Sequence, residues 1–181
     1  FENNFVFNDL THKGALTAIR IEGPTNSVDQ RISRLVKELS LLENEYSVLD
    51  NFQTDLFWSK TRNLEVFSNL KNNLLRVIVP VSETLNVIQK LKKYEINYFL
   101  DWGGNLIWLE LETISLKILR EIKEITQEHS GYFTIIKLED DLKASADIFT
   151  IDPIKYKISE KIKKSFDPKR IFNPGKMYSG I

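Results

Sequence analysis

Three stretches of the chain repeat one pattern of apolar and polar positions: TAIRIEGPTNSVDQRISRLVKEL, LRVIVPVSETLNVIQKLKKY and LIWLELETISLKILREIKEI. Each opens on a run rich in β-branched and aromatic residues that partly alternates, as half-buried strands do. Each then turns, at Pro24 to Ser27, Pro80 to Glu83 or Glu112 to Ser115, where Ser, Thr and Asn suit the free amides of a helix start. Behind each turn apolar residues recur at helical spacing: Val28, Ile32, Leu35, Val36 and Leu39; then Leu85, Ile88 and Leu91; then Leu116, Leu119, Ile122 and Ile125. The pattern predicts three strand–helix units, each helix with one core-facing stripe.

The remaining segments complete this plan. Leu49, Phe52, Leu56, Phe57, Leu64 and Phe67 predict a further helix over about Leu49 to Phe67, and Lys71-Asn72-Asn73 a polar turn. INYFLDWGGNLIWLELE reads as two strands joined at Trp102-Gly103-Gly104, since paired glycines supply the positive φ of a tight connection. Ser130-Gly131 predicts a glycine C-cap, with a final strand over Tyr132 to Leu138. From Leu74 onward the order is strand, helix, strand, strand, helix, strand, the ferredoxin-like βαββαβ pattern. A hairpin of Phe5 to Phe7 with Leu16 to Glu22, followed by a helix, reads as a related half-unit. The fold class is therefore α+β, an antiparallel sheet with helices packed mainly on one face, in one domain over residues 1–181.

Composition narrows the function classes. With 181 residues, 42% of them hydrophobic, the chain can bury a sizeable core. Its 25 basic and 25 acidic residues cancel, so no long-range field favours nucleic acid. No cysteine is present, which excludes thiol chemistry and iron–sulfur ligation by this chain, and His12 and His129 alone give no metal expectation. No apolar run is long enough to span a bilayer and no signal peptide is visible, so a cytoplasmic place is expected. The chain begins with Phe1, as a segment of a longer protein would.

Motifs with a mechanism are few. Trp102-Gly103-Gly104-Asn105 lacks the length and the Lys-Ser/Thr ending of a phosphate loop. Glu139-Asp140-Asp141 is read as a helix N-terminus favoured by the helix dipole. Lys161, Lys163, Lys164, Lys169 and Arg170 are read as a solvated helix face, the strands lacking the glycine-aromatic signature of RNA-binding sheets. His12 falls in a hairpin turn and His129 at a helix end, neither with a catalytic partner nearby in sequence.

The tail FDPKRIFNPGKMY resembles the C-terminal signature of the FAD-linked oxidases of the vanillyl-alcohol-oxidase type. RIEGP, LFWSKTR, LRVIVPVSE, LDWGGNLIWLEL and the tail together look like the C-terminal half of the smaller flavoprotein subunits of bacterial glycolate oxidases, over nearly the whole chain. The resemblance implies a C-terminal cap domain whose FAD-binding domain is absent, so that FAD belongs to the full-length protein and is not expected on this chain alone. It implies a larger FAD-containing subunit and an iron–sulfur subunit as partners, a small 2-hydroxy acid as the substrate of the complex, and a position at the inner face of the membrane through that complex. In such relatives histidines flank a Gly-Asp-Gly-Asn hairpin; aligning Gly104-Asn105-Leu106 with it puts Leu100 and Ile107 at those places. No metal or base is implied here, and the role is electron transfer and assembly.

The resemblance also assigns site residues. Arg62, four residues after Trp58, and Arg76 are the candidates for gripping a substrate carboxylate. Asn173, Pro174 and Gly175 are placed beside the flavin, with Asp101, Trp102, Gly103, Gly104 and Asn105 as the hairpin at the site. Ile171, Phe172 and Met177 are expected to pack against the sheet. The alternative is a non-enzymatic, ferredoxin-like ligand- or protein-binding module.

Overall fold

A computed structural model describes residues 5–7, 10–12, 15–41, 46–67, 73–143, 145–176 and 181, the first two segments by their backbone alone. Contacts divide the chain into two compact units, Phe1–Ser68 and Asn69–Ile181.

In the first unit, β1 (Phe5–Phe7) pairs with β2 (Leu10–His12) in a short antiparallel ladder. The expected partner for Phe5 to Phe7, Leu16 to Glu22, forms no strand. Leu16 and Ile19 are exposed, and strand propensity expresses packing on a pleated surface that these residues do not find. Helix α1 (Thr25–Ser40) starts at Pro24 with no side-chain cap. Its apolar stripe is only half-buried. Helix α2 (Asn51–Arg62) is shorter than its apolar spacing suggests: a full capping box of Asp50 and Gln53 fixes its start, and Leu64, with φ 61, is left-handed just beyond its end. Phe57 is buried in it and Phe52 is exposed.

The second unit contains the main sheet. Strands β3 (Asn73–Ile78), β4 (Ile96–Asp101), β5 (Leu106–Leu111) and β6 (Tyr132–Lys137) lie in the order β4-β5-β3-β6, every pair antiparallel. Helices α3 (Thr84–Leu91) and α4 (Leu116–Glu128) cross from β3 to β4 and from β5 to β6. This is the expected ferredoxin-like α+β unit. Its core lies between one face of the sheet and the two helices: Leu75, Val77, Ile107, Leu109, Leu111, Phe133 and Ile135 meet Val87, Ile88, Leu91, Leu119, Ile122 and Ile125. Leu85, expected inside, is exposed, and Val87 and Thr84 are inside in its place. The short 3-10 turn Val81–Glu83 before α3 shifts the phase of the helix from the one counted from Pro80.

Asn73 is not in a turn. It begins β3 and is buried, donating to the carbonyl of Leu111 and to Glu139 Oε1 at 3.0 Å while accepting from the Glu139 amide at 2.9 Å. One side chain thus locks the start of β3 to the end of β6. At the end of α4 the left-handed residue is Ser130, with φ 56, rather than Gly131. Gly131 is required by space: a Cβ there would stand 2.7 Å from the carbonyl oxygen of Ile78. Helix α5 (Asp140–Lys143) then opens on two of the three clustered acids, which lie in its first turn. Helix α6 (Pro153–Phe166) follows, with Asp152 capping the amides of Ile154 and Lys155.

Candidate functional site

The β4-β5 connection is built from its backbone. Trp102, Gly103 and Gly104 have φ of 53, 66 and 98, three consecutive left-handed residues that reverse the chain. Asp101 accepts from the Trp102 amide at 2.8 Å. Asn105 donates through Nδ2 to the carbonyl of Val79 at 2.5 Å, and Thr84 donates to the carbonyl of Gly104 at 2.6 Å. Asp101 thus braces the turn internally, Asn105 ties it to the residue that follows β3 and Thr84 to the start of α3, and Trp102 is left exposed.

Alternation along the strands sorts the remaining residues. Leu75, Val77, Ile107 and Leu109 face the helices, so Leu74, Arg76, Leu106, Trp108 and Glu110 face the other side, joined by Asn97 and Phe99 of β4. One row across this face reads Phe99, Trp108, Arg76, Thr134. The next reads Asn97, Glu110, Leu74. Phe99 and Trp108 stack with centroids 6.3 Å apart. Glu110 is 2% exposed; its Oε2 accepts from Asn97 at 3.1 Å. Its Oε1 and Arg76 Nε are buried without a hydrogen-bond partner among the described residues. Ile107 belongs to the helix-facing core and is paired with Leu100. The two positions aligned with histidines thus share the parity of the core, not that of Arg76.

The tail is organised by a single carboxylate. Asp167, buried at the end of α6, takes Lys163 at 2.8 Å and accepts from the amides of Ile171 and Phe172, both at 2.9 Å. The Lys163 ammonium first, and the two amides with it, pull the Asp167 carboxyl down to about 2 against the opposing effect of desolvation. Arg170, Asn173 and Gly175 have φ of 51, 46 and 69, so the chain bends at three fixed places. Asn173 accepts from the Lys176 amide through its carbonyl, and its side chain is on an exposed stretch. Ile171 and Phe172 do not pack on the sheet: they are 67% and 70% exposed. Asp167 and Lys163 tie the backbone of residues 170–172 back to the end of α6 and leave these side chains outward. Met177 lies outside the described residues.

Comparison with protein-family models, curated proteins and solved structures found no match. What is established is a small α+β module with a ferredoxin-like unit. No helix among the described residues is long and apolar enough to cross a membrane. Arg62 stands at the exposed C-terminal end of α2 in the first unit, without an ion pair among the described residues. A recess of about 100 Å³ between α4 and residues 145–147 falls short of the roughly 300–1,000 Å³ of small-molecule sites.

One pairing has no signal in the sequence. His129, at the end of α4, meets Glu83 with 2.6 Å between Nδ1 and Oε2, across 46 positions of chain. The imidazole bond and a further bond from Asn86 hold the Glu83 carboxyl below its usual range. His129 Nε2 is buried without a partner among the described residues. Only the packing of α3 beside α4 brings the two together.

Proposed function

We propose that this chain is a non-catalytic interaction module that docks, through α6 and the tail behind it, on the carboxylate-rimmed apolar surface of a second protein. The observation that carries the reading is a continuous outward stripe. Ile154, Ile158, Ile162 and Phe166 recur one helical turn apart, all more than half exposed, and Ile171 and Phe172 extend the line. Around it residues 153–172 contain seven cations, Lys155, Lys157, Lys161, Lys163, Lys164, Lys169 and Arg170, against the two carboxylates of Glu160 and Asp167. A neutral chain thus carries a local excess of positive charge beside this exposed apolar stripe, a combination that suits an oppositely charged partner. A basic amphipathic helix also suits an anionic bilayer. The three fixed bends of the tail favour a protein, because a rigid contour is matched by a shaped surface and not by a fluid one.

A second reading is favoured by the tail itself: that the partner is an FAD-binding domain, with this chain as the C-terminal domain of a glycolate-oxidase-type flavoprotein subunit. The left-handed, exposed Asn173, between apolar Phe172 and Gly175, fits a segment that closes over a planar ring and offers it one polar group. On this reading the larger FAD-containing and iron–sulfur subunits are further partners, and chemistry on the 2-hydroxy acid belongs to the complex.

A photo-crosslinking residue at position 158, introduced in the source cell, tests both. A single protein adduct, abolished by Ile162→Asp and weakened by Lys161→Glu with Lys164→Glu, supports docking, and flavin absorbance of that adduct supports the second reading. Lipid adducts, or none, overturn the first.

A further inference from the structure

We infer that the sheet face opposite α3 and α4 holds a small zwitterion, an α-amino acid with an apolar or aromatic side chain, between Arg76 and Glu110. Arg76 and Trp108 are directly opposed on β3 and β5, and Glu110 is the next residue on the same face of β5, so Arg76 and Glu110 are diagonal neighbours. Diagonal neighbours stand about 7–8 Å apart, within reach of one another's long side chains. They nevertheless form no ion pair.

Each of the two lacks a specific thing. Arg76 is half-buried and its Nε finds no acceptor among the described residues. Glu110 is almost wholly enclosed, and one of its two oxygens finds no donor. A buried ionisable group left unpaired is costly, and two of opposite sign on one face are satisfied together by one molecule with both charges. A carboxylate matches the flat fork of a guanidinium, and an ammonium gives a carboxylate oxygen its strongest donor. Trp108 neighbours both, opposite Arg76 and next to Glu110 on the same face of β5, with Phe99 stacked on it from β4, and supplies an aromatic wall for the ligand's side chain. Asn97 holds the second Glu110 oxygen and so fixes which one is left for the ligand. The site uses no residue of α6 or the tail, and it stands whether or not that surface docks a protein.

Titration calorimetry on the full chain decides it, with phenylalanine as the zwitterion, 3-phenylpropionate without the ammonium, 2-phenylethylamine without the carboxylate, and glycolate as a hydroxy acid. Phenylalanine is expected to bind at least tenfold more tightly than any of the others. Arg76→Gln and Glu110→Gln are each expected to weaken it at least tenfold, and Arg76→Lys less than Arg76→Gln. Should a variant fail to fold, the wild type still decides: addition of phenylalanine shifts the NMR signals of the Arg76 Nε–H and the Trp108 indole N–H together. Equal binding of the single-charge analogues, tighter binding of glycolate, no heat with phenylalanine at millimolar concentration, or unmoved Arg76 and Trp108 signals overturns the inference.

Discussion

Replacing Gly131 by alanine adds one methyl group at a place where three atoms already stand. The new Cβ would lie 2.5 Å from Val79 Cγ1, 2.7 Å from the Ile78 carbonyl oxygen and 2.8 Å from Thr126 Cγ2. Carbon atoms rest about 3.5–4.0 Å apart, so the shortfall is roughly 1 Å at two of these contacts at once. Val79 is 1% exposed and Thr126 is fully buried, so neither swings into solvent. The carbonyl belongs to β3, which is paired on both sides and cannot retreat. Overpacking of this kind is worth about 1–3 kcal/mol, and the stiffer unfolded chain of the alanine variant returns about 0.4–1 kcal/mol. The expected net destabilisation is about 1–2 kcal/mol, which lowers the urea midpoint by roughly 0.5–1 M at a slope near 2 kcal/mol/M. Val79→Ala should relieve part of the clash, so the double variant should be less destabilised than the sum of the two by at least about 0.5 kcal/mol. A midpoint within 0.2 M of wild type, or strict additivity, would refute the close approach of α4's end to β3.

Two further outcomes concern charge. Asp167→Asn should speed hydrogen exchange at Ile171 and Phe172 while leaving the sheet amides as protected as before. Since the Asp167 carboxyl falls from 3.8 to about 2 on folding, its hold on the tail is present above about pH 4 and lost as pH falls through 2, which exchange at graded pH reads directly. Glu83 is likewise depressed on folding, so its contribution is present above its unfolded value of 4.5 and lost as pH drops below the folded one. Glu83→Gln should therefore flatten the acid limb of a stability-versus-pH curve, and an unchanged limb would show that the bond to His129 contributes nothing.

The second unit was legible because its signals are local and agree. Ser115 caps α4, Leu119, Ile122 and Ile125 mark one face, and Gly103-Gly104 place the reversal, each within a few residues of its effect. The failures fall where a partner decides. Leu16 to Glu22 alternates like a strand and forms none, because a ladder needs a neighbour. Asn73 reads as turn and lies in the core, because its bonds go to Leu111 and Glu139, 38 and 66 positions away. The candidate sites divide in the same way. Arg76 is a candidate in the sequence only through the family resemblance, whereas Glu110 has no signal there: register alone sets it diagonal to Arg76 with one oxygen unsatisfied. The tail's apolar residues suggested burial, and only the Asp167 bonds reveal that they turn outward.

The strand order also bears on how the chain is made. β3 is central, yet it is the first strand of its sheet to leave the ribosome, and neither neighbour exists when it does. Its register with β5 closes only at Leu111, and with β6 only at Lys137. At about 5–20 residues per second, the apolar run Leu74 to Val79 waits several seconds for either. The β4-β5 hairpin closes over the short Trp102 turn and is complete first, so it is the ready-made template onto which the waiting strand docks. Vectorial synthesis thus exposes a sticky segment early, and a pause placed before β5 is the change in translation most apt to drive this chain into aggregates.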